Sequence, residues 1–95
     1  MKKIVILPSF ERSIKKLSPP EKKQLDKGLK LFNQFLVSGE FPFGFGLKKI
    51  NHDKYEFRVG IRLRVIVKQE DDTFYLALVG SHDEIRRYLR NFRTL

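Results

Sequence analysis

The sequence predicts a small α+β domain in which a helical hairpin packs on one face of an antiparallel sheet, in the order β-α-α-β-β-β-α. Length is the first observation, because 95 residues suffice for one modest hydrophobic core and so for a single domain spanning residues 1–95. In the first half of the chain, apolar residues recur every three or four positions, as in helices. In the second half they alternate with polar residues over three short runs, as in strands.

The N-terminal third is predicted to form one strand and two helices. Residues 3–7 (KIVIL) are β-branched and apolar, and Pro8 ends this strand. Apolar residues at positions 10, 14 and 17 have the spacing of a short helix, with Ser9 as its N-cap. A longer helix starts after Ser18, because Ser18 and Glu21 form a capping box with proline at the first helical position. Two helices joined by such a tight turn form an αα-hairpin.

The pattern changes from helix to strand after this hairpin. Residues 38–46 (SGEFPFGFG) are predicted to be a connection, whose phenylalanines either cover the core or form a patch facing a partner. A three-stranded antiparallel meander follows, with strands at residues 54–59, 63–67 and 74–79. The first strand is expected to join this meander after the hairpin has crossed one face of the sheet.

The middle strand of the meander separates apolar from basic residues. Apolar residues at positions 63, 65 and 67 fall on one face, because side chains alternate along a strand. Arg62, Arg64 and Lys68 share the other face, which Ile66 interrupts. If the hairpin covers the first face, the second is an open basic surface.

The last segment, VGSHDEIRRYLRN, is predicted to be a strand end followed by a helix. Ser81 and Glu84 form another capping box, which makes His82 the first helical residue. Apolar residues at positions 85, 89 and 92 form the buried stripe of this helix, and arginines lie to its sides.

The charge balance favours a polyanionic partner. Twenty Lys and Arg against eleven Asp and Glu leave a net charge of +9, above the magnitude of about 2 to 8 usual for a small domain. Nucleic acid and an acidic protein both fit such a surface. Arginines are concentrated in the second half, where their planar guanidinium suits bidentate phosphate contacts; alternatively they coat a solvated strand face and a helix.

Other features exclude several classes of protein. The chain has no cysteine and only two histidines, which excludes disulfides and thiolate sites and argues against a catalytic metal. No apolar run approaches the roughly 20 residues that span a bilayer, and the apolar stretch after Met1 is too short for a secretory signal. We therefore expect a cytoplasmic protein with no membrane contact, no metal and no small-molecule cofactor.

Two segments carry a resemblance to a known family. Residues 54–67 (KYEFRVGIRLRVIV) and 76–89 (LALVGSHDEIRRYL), within this order of elements, resemble the RelE/ParE toxin superfamily of prokaryotic toxin–antitoxin systems. The resemblance covers nearly the whole chain and implies a RelE/ParE-like fold. The positions that match the family's motifs are Phe10, Tyr55, Arg58-Val59-Gly60, Arg64-Val65-Ile66 and Gly80-Ser81-His82.

The resemblance implies either of two activities. RelE and YafQ members cleave mRNA in the ribosomal A site, whereas ParE members poison DNA gyrase. The Gly-Ser-His ending is most similar to the YafQ branch, in which the histidine is catalytic, and this role carries over to His82. The middle strands differ from that branch, because they carry Arg58, Arg62 and Leu63 and are closer to the arginine–lysine site of RelE.

The residues offer candidates for cutting RNA without a metal. His82 is the candidate base or acid, since a helix N-terminus favours the neutral imidazole, and Arg58, Arg62 and Arg64 are candidates to hold the phosphate. The RNA-binding candidates are Lys48 and Lys49, expected in a loop, with Arg86, Arg87 and Tyr88 on the last helix.

Each of these residues also has a structural interpretation. His82 is otherwise a solvated polar residue, Tyr88 a half-buried residue and His52 a turn residue, and the strand arginines form a solvated or partner-binding surface. Asp83 and Glu84 are expected to serve the helix dipole rather than catalysis.

Three functions therefore stay open. The first is an mRNA interferase toxin that meets mRNA at the ribosomal 30S A site and is neutralised by a cognate antitoxin laying an acidic or amphipathic segment on the basic face. The second is a ParE-like, non-catalytic inhibitor of DNA gyrase. The third is an inactive member that binds RNA weakly or only pairs with an antitoxin.

Overall fold

The computed structural model describes residues 2–39, 48–50 and 53–90, which form three helices and five strands. The predicted connection from residue 40 onward, His52 and Phe92 lie outside the described residues. In chain order the elements are β1 (Lys3–Ile6), α1 (Pro8–Ile14), α2 (Pro19–Ser38), β2 (Lys48–Lys49), β3 (Lys54–Val59), β4 (Leu63–Glu70), β5 (Thr73–Gly80) and α3 (His82–Arg90).

The strands form one five-stranded sheet in the order β1-β5-β4-β3-β2. The predicted α+β class and the meander of β3, β4 and β5 are confirmed. The prediction of an antiparallel sheet needs correction, because β1 pairs parallel to β5 and the sheet is mixed. The helical hairpin returns the chain to the far edge of the meander, and such a crossover allows parallel pairing. A short strand, β2, also extends the sheet beyond β3.

The main core lies between the hairpin and one face of the sheet. Phe32 of α2 stacks on Phe57 of β3, with ring centroids 5.0 Å apart, and meets the ring of Phe74 edge-on at 5.8 Å. As predicted, residues 63, 65 and 67 of β4 point into this core. The buried residues that form it are Phe10, Leu25, Phe32, Leu36, Phe57, Val59, Leu63, Val65, Val67, Phe74, Leu76 and Val79.

The opposite face of the sheet carries a second, smaller core beneath α3. Ile66 of β4, Ala77 of β5 and Ile85 of α3 are its buried members. A register shift in the β4–β5 ladder, where Ile66 opposes Leu78 and Val67 opposes Leu76, leaves Ala77 as a bulged residue that packs in this cluster. The prediction of an open basic surface is therefore corrected: α3 covers part of this face, and Ile66 is the residue it packs against.

Helix α1 starts two residues earlier than predicted. Pro8 is its first residue and Leu7 its N-cap, so Ser9 lies inside the first turn instead of capping it. The Ser9 hydroxyl donates to the carbonyl of Ala77, 2.6 Å away, which satisfies the bulged residue of β5. Proline suits the first helical position because its missing N–H has no partner there in any case.

The longer helices begin as predicted. Ser18 and Glu21 form a complete capping box at α2, and Ser81 and Glu84 form another at α3. Within the described chain, none of the helices is long and apolar enough to cross a lipid bilayer.

Candidate active site

The β3–β4 hairpin and the β5–α3 junction meet at one end of the sheet. Arg64 near the start of β4 pairs with Gly80 at the end of β5, so the residues that follow Gly80 lie beside the hairpin. An open cavity of about 290 Å³ forms there. Its lining residues are Ile61, Arg62, Arg64, Ser81, His82 and Asp83.

A capping box places His82 at this cavity. The Ser81 hydroxyl accepts from the Glu84 amide at 3.2 Å, and the Glu84 carboxylate accepts from the Ser81 amide at 3.0 Å. These reciprocal bonds start α3 at the end of β5 and leave His82 exposed as the first helical residue. The capping box therefore fixes the backbone at His82, and the imidazole is accessible to a substrate.

The hairpin turn holds Arg62 and Ile61 on the other side of the cavity. Gly60 has a φ of +73°, and a Cβ at this position would lie 2.6 Å from the side-chain oxygen of Gln24 on α2. Glycine suits this position because residues with a side chain rarely adopt such a positive φ, whereas the exposed Gln24 side chain can move aside. The turn that carries Ile61 and Arg62 therefore depends on the backbone conformation of Gly60.

Two predicted arginines face each other across strands. Arg58 on β3 and Arg64 on β4 are direct cross-strand partners, so their side chains share the face on which α3 lies. Arg64 lines the cavity, whereas Arg58 stands beside it on the neighbouring strand. Like charges in this arrangement repel, and a carboxylate is found close by: Glu56 Oε1 lies 4.0 Å from Arg64 Nε.

Ile61 and Glu56 were not predicted from the sequence as residues of the site: Ile61 lines the cavity, and Glu56 lies close to Arg64. Glu56 lies two positions before Arg58 on β3, and that spacing already places it on the arginine face. The alternating KYEFRV pattern could have identified it.

The two predicted lysines separate onto opposite faces. Lys48 and Lys49 form strand β2 and not the expected loop. Lys48 pairs with Glu56 and so shares the arginine face, whereas Lys49 pairs with Tyr55 on the side of the hairpin. Only Lys48 can therefore contribute to one surface with Arg58 and Arg64.

The basic residues of α3 also divide. Arg86 lies one turn beyond His82 on the same side of the helix, and Arg87 lies on a different side; both are exposed. Tyr88 packs against the second core, where burial raises the pKa of its phenol and the nearby Lys68 ammonium offsets part of that rise. Tyr88 is not a lining residue of the cavity.

The cavity suits a phosphodiester. It is lined by two arginines and one histidine, beside the N-terminus of a helix whose dipole favours negative charge. Asp83 also lines it and limits the net positive charge. Among the residues described, no group of three or more His, Asp or Glu side chains comes close enough together to hold a metal ion.

Sequence comparison identifies no family: no family model matches the chain, and no curated protein does so. Structural comparison does find similar proteins. The fold is similar to that in a RelB–RelE antitoxin–toxin complex from Methanococcus jannaschii, with a TM-score of 0.68 and 20% identity over 88% of this chain and 96% of that one. It is also similar to that in the DinJ–YafQ toxin–antitoxin complex from E. coli, with a TM-score of 0.64 and 14% identity over 88% and 96% of the two chains.

A third solved structure has the same fold. The YoeB–YefM complex from Staphylococcus aureus gives a TM-score of 0.63 and 18% identity, with 86% of this chain and 98% of that one covered. The RelE-like fold implied by residues 54–67 and 76–89 is thus confirmed over most of the chain. At these identities the likeness concerns the fold, and the site must be judged on its own residues.

Proposed function

We propose that this protein is the toxin of a type II toxin–antitoxin pair and that it cleaves mRNA as a metal-independent endoribonuclease. The observation that carries the proposal is the cavity that brings His82 together with Arg62 and Arg64. The RelE-like fold supports it, because solved proteins with this fold form toxin–antitoxin complexes.

The reaction assigns one role to each kind of residue. The neutral imidazole of His82 takes the proton of the ribose 2′-hydroxyl, and the 2′-oxygen then bonds to phosphorus. The bond from phosphorus to the 5′-oxygen breaks, which leaves a 2′,3′-cyclic phosphate. Water protonates the departing 5′-oxygen, and the hydroxide that remains takes the proton back from the His82 imidazolium. Arg62 and Arg64 hold the phosphoryl oxygens, whose negative charge grows in the transition state, and Arg58 adds positive charge beside them.

The surroundings of the cavity supply RNA contacts. Lys48 extends the basic face along β2 and Arg86 extends it along α3, where both contact backbone phosphates. Arg87 binds RNA from a different side of the helix. We place the reaction in the cytoplasm, at the 30S A site of the ribosome. The antitoxin neutralises the toxin by laying an acidic or amphipathic segment across the same basic face.

Mapping of mRNA 5′ ends after induction tests the activity. The wild-type protein is expected to arrest growth and produce new 5′ ends within translated reading frames. His82→Ala should remove both effects, with cleavage falling roughly 10²- to 10⁴-fold. Arg64→Ala should lower cleavage roughly 10²- to 10³-fold.

Arg12→Ala is the matched control for Arg64→Ala. Arg12 is exposed on α1, away from the cavity lining, and its loss changes the net charge by the same amount. Its cleavage rate should stay near that of the wild type. A His82→Ala variant that is folded and fully toxic would remove His82 from the mechanism. Gyrase-dependent DNA breaks with mRNA left intact would instead establish a ParE-like inhibitor, and normal growth on strong induction would establish an inactive member.

A further inference from the structure

We infer that Glu56 is a positioning residue for Arg64: its carboxylate holds the guanidinium from the Nε side, so that the two terminal nitrogens point into the cavity and meet the phosphate. This inference rests on the proposed ribonuclease function and deepens it. Glu56 is a carboxylate on the arginine face of the sheet, where most of the other charged residues near the cavity are basic.

The position of Glu56 follows from the strand register. Glu56 pairs with Ile66, while Arg64 pairs with Arg58, so Glu56 and Arg64 are diagonal neighbours on one face. Glu56 Oε1 lies 4.0 Å from Arg64 Nε, which is longer than a hydrogen bond, so the two groups are joined by charge attraction. Both residues lie within regular strands, so their backbones are held by the ladder on either side.

This pair is partly buried, as is the pair of Lys54 and Asp53, whose side chains are 15% and 32% exposed. The Glu56 and Arg64 side chains are only 14% and 25% exposed, whereas those of Lys30 and Asp26 are 73% and 69% exposed. Exposed pairs are screened by solvent and contribute little, whereas a partly buried pair restricts the side chains that form it. Glu56 can therefore orient Arg64 in a way that a solvated carboxylate could not.

The side of the guanidinium that Glu56 meets is the basis of the inference. A guanidinium carries one N–H on Nε and four on its terminal nitrogens, arranged as a planar fork. A carboxylate on the Nε side leaves the terminal fork for a second oxyanion. Because Arg64 lines the same cavity as His82, that second oxyanion is the phosphate of the bound RNA.

The arginines themselves require such a partner. Arg58 stands directly opposite Arg64, and Arg62 precedes it by two residues, so without Glu56 repulsion would drive the Arg64 guanidinium away from both. The same carboxylate weakens the attraction of the site for RNA, because it adds negative charge near the phosphate. Glu56 should therefore raise kcat and at the same time raise KM.

Glu56→Gln separates these two effects. Loss of the carboxylate should lower kcat for a model RNA roughly 10- to 100-fold, because Arg64 is no longer held in position. KM should fall, since the site gains net positive charge. A variant that merely damaged the fold would lower kcat without tightening binding, and thermal unfolding checks the fold directly. Glu56→Asp, which keeps the charge, should recover part of the lost kcat.

Glu70→Gln is the matched control. Glu70 lies at the far end of β4, is 55% exposed and pairs with Lys68 at 3.0 Å, so its loss changes the net charge equally without touching Arg64. Its kcat should stay within about twofold of the wild type, as expected for a solvated pair.

A double-variant cycle tests whether Glu56 acts through Arg64. In the Arg64→Ala background, Glu56→Gln should change kcat less than about twofold, because the group it positions is already absent. A full additional loss there, or an unchanged kcat in Glu56→Gln alone, would overturn the inference and leave the ribonuclease proposal standing. A wild-type protein that cuts no RNA at all would overturn both.

Discussion

The hydroxyl of Ser13 accepts a hydrogen bond from the backbone amide of Val79 at 3.1 Å and donates one to the carbonyl of Phe10 at 2.7 Å. Strand β1 pairs with β5 only as far as Leu76, and beyond that point α1 takes over the edge of β5. The Ser9 hydroxyl bonds to the carbonyl of Ala77, and Ser13 bonds to Val79. Two helix serines thus hold the end of the strand that leads into His82.

Ser13→Ala should destabilise the protein by about 1–3 kcal/mol, the cost of leaving a buried amide without a partner. Ser13 is almost fully buried, so water cannot readily replace its hydroxyl. Chemical denaturation measures the change. Ser38→Ala is the control, because Ser38 bonds to the carbonyl of Gln34 on the exposed end of α2, and its loss should cost less than about 0.5 kcal/mol. Equal losses in the two variants would contradict a special role for Ser13.

Gly28→Ala should destabilise the protein by about 1–3 kcal/mol through overpacking, although alanine is the better helix former by about 1 kcal/mol. A Cβ on Gly28 would lie 2.8 Å from Cγ2 of Val59, which is closer than packed carbon atoms allow. Adding Val59→Ala removes the clash, so the double variant should be at least about 1 kcal/mol more stable than the two single losses predict. If urea denaturation shows that the stability loss of the double variant equals the sum of the two single losses, α2 shifts to accommodate the methyl group.

The two capping boxes allow a matched test of the site. Ser81→Ala and Ser18→Ala should each cost about 1 kcal/mol, because both remove the acceptor for an amide in the first turn of a helix. Only Ser81→Ala should also lower RNA cleavage, since Ser81 lines the cavity and precedes His82. Cleavage is compared at a temperature where both variants are fully folded. An equal fall in both would mean that activity follows stability alone.

The raised pKa of Tyr88 predicts that the protein loses stability at high pH. Burial raises the pKa of its phenol, and Lys68 only partly opposes this, so the folded state favours the neutral form. The contribution of the neutral phenol to the free energy of unfolding is fully present below the unfolded-state pKa of about 10. It is lost as pH rises through the higher pKa of the folded state. The free energy of unfolding should therefore fall more steeply above about pH 10 in the wild type than in Tyr88→Phe. Parallel pH profiles from urea denaturation would contradict this.

Local signals in the sequence predicted the described elements except β2, and they predicted where α2 and α3 begin. The capping boxes of Ser18 and Ser81 depend on residues three positions apart, and the alternation along β3, β4 and β5 depends on residues two positions apart. Interactions over such short spans leave a pattern in the chain itself. The position of His82 as the first residue of α3 could for this reason be predicted.

The roles of Ser9, Ser13 and Glu56 depended on contacts between distant segments. Ser9 has the residue type of an N-cap, but a bulge in β5 presents the Ala77 carbonyl to it, 68 residues along the chain. Lys48 and Lys49 likewise lie on opposite faces of the sheet because they pair with successive residues of β3. Neither the bulge nor the pairing leaves a local signal, since each is set by which strand a segment meets.

The sequence by itself thus determined a basic α+β domain, the face of β4 that joins the main core, and a histidine at a capped helix start. Only the tertiary structure decided that β1 runs parallel to β5, that α3 covers part of the arginine face, and that Glu56 lies near Arg64 there. The reason is physical. Alternation and capping are set by neighbours along the chain, whereas strand order, register and ion pairing are set by long-range packing, which no single segment encodes.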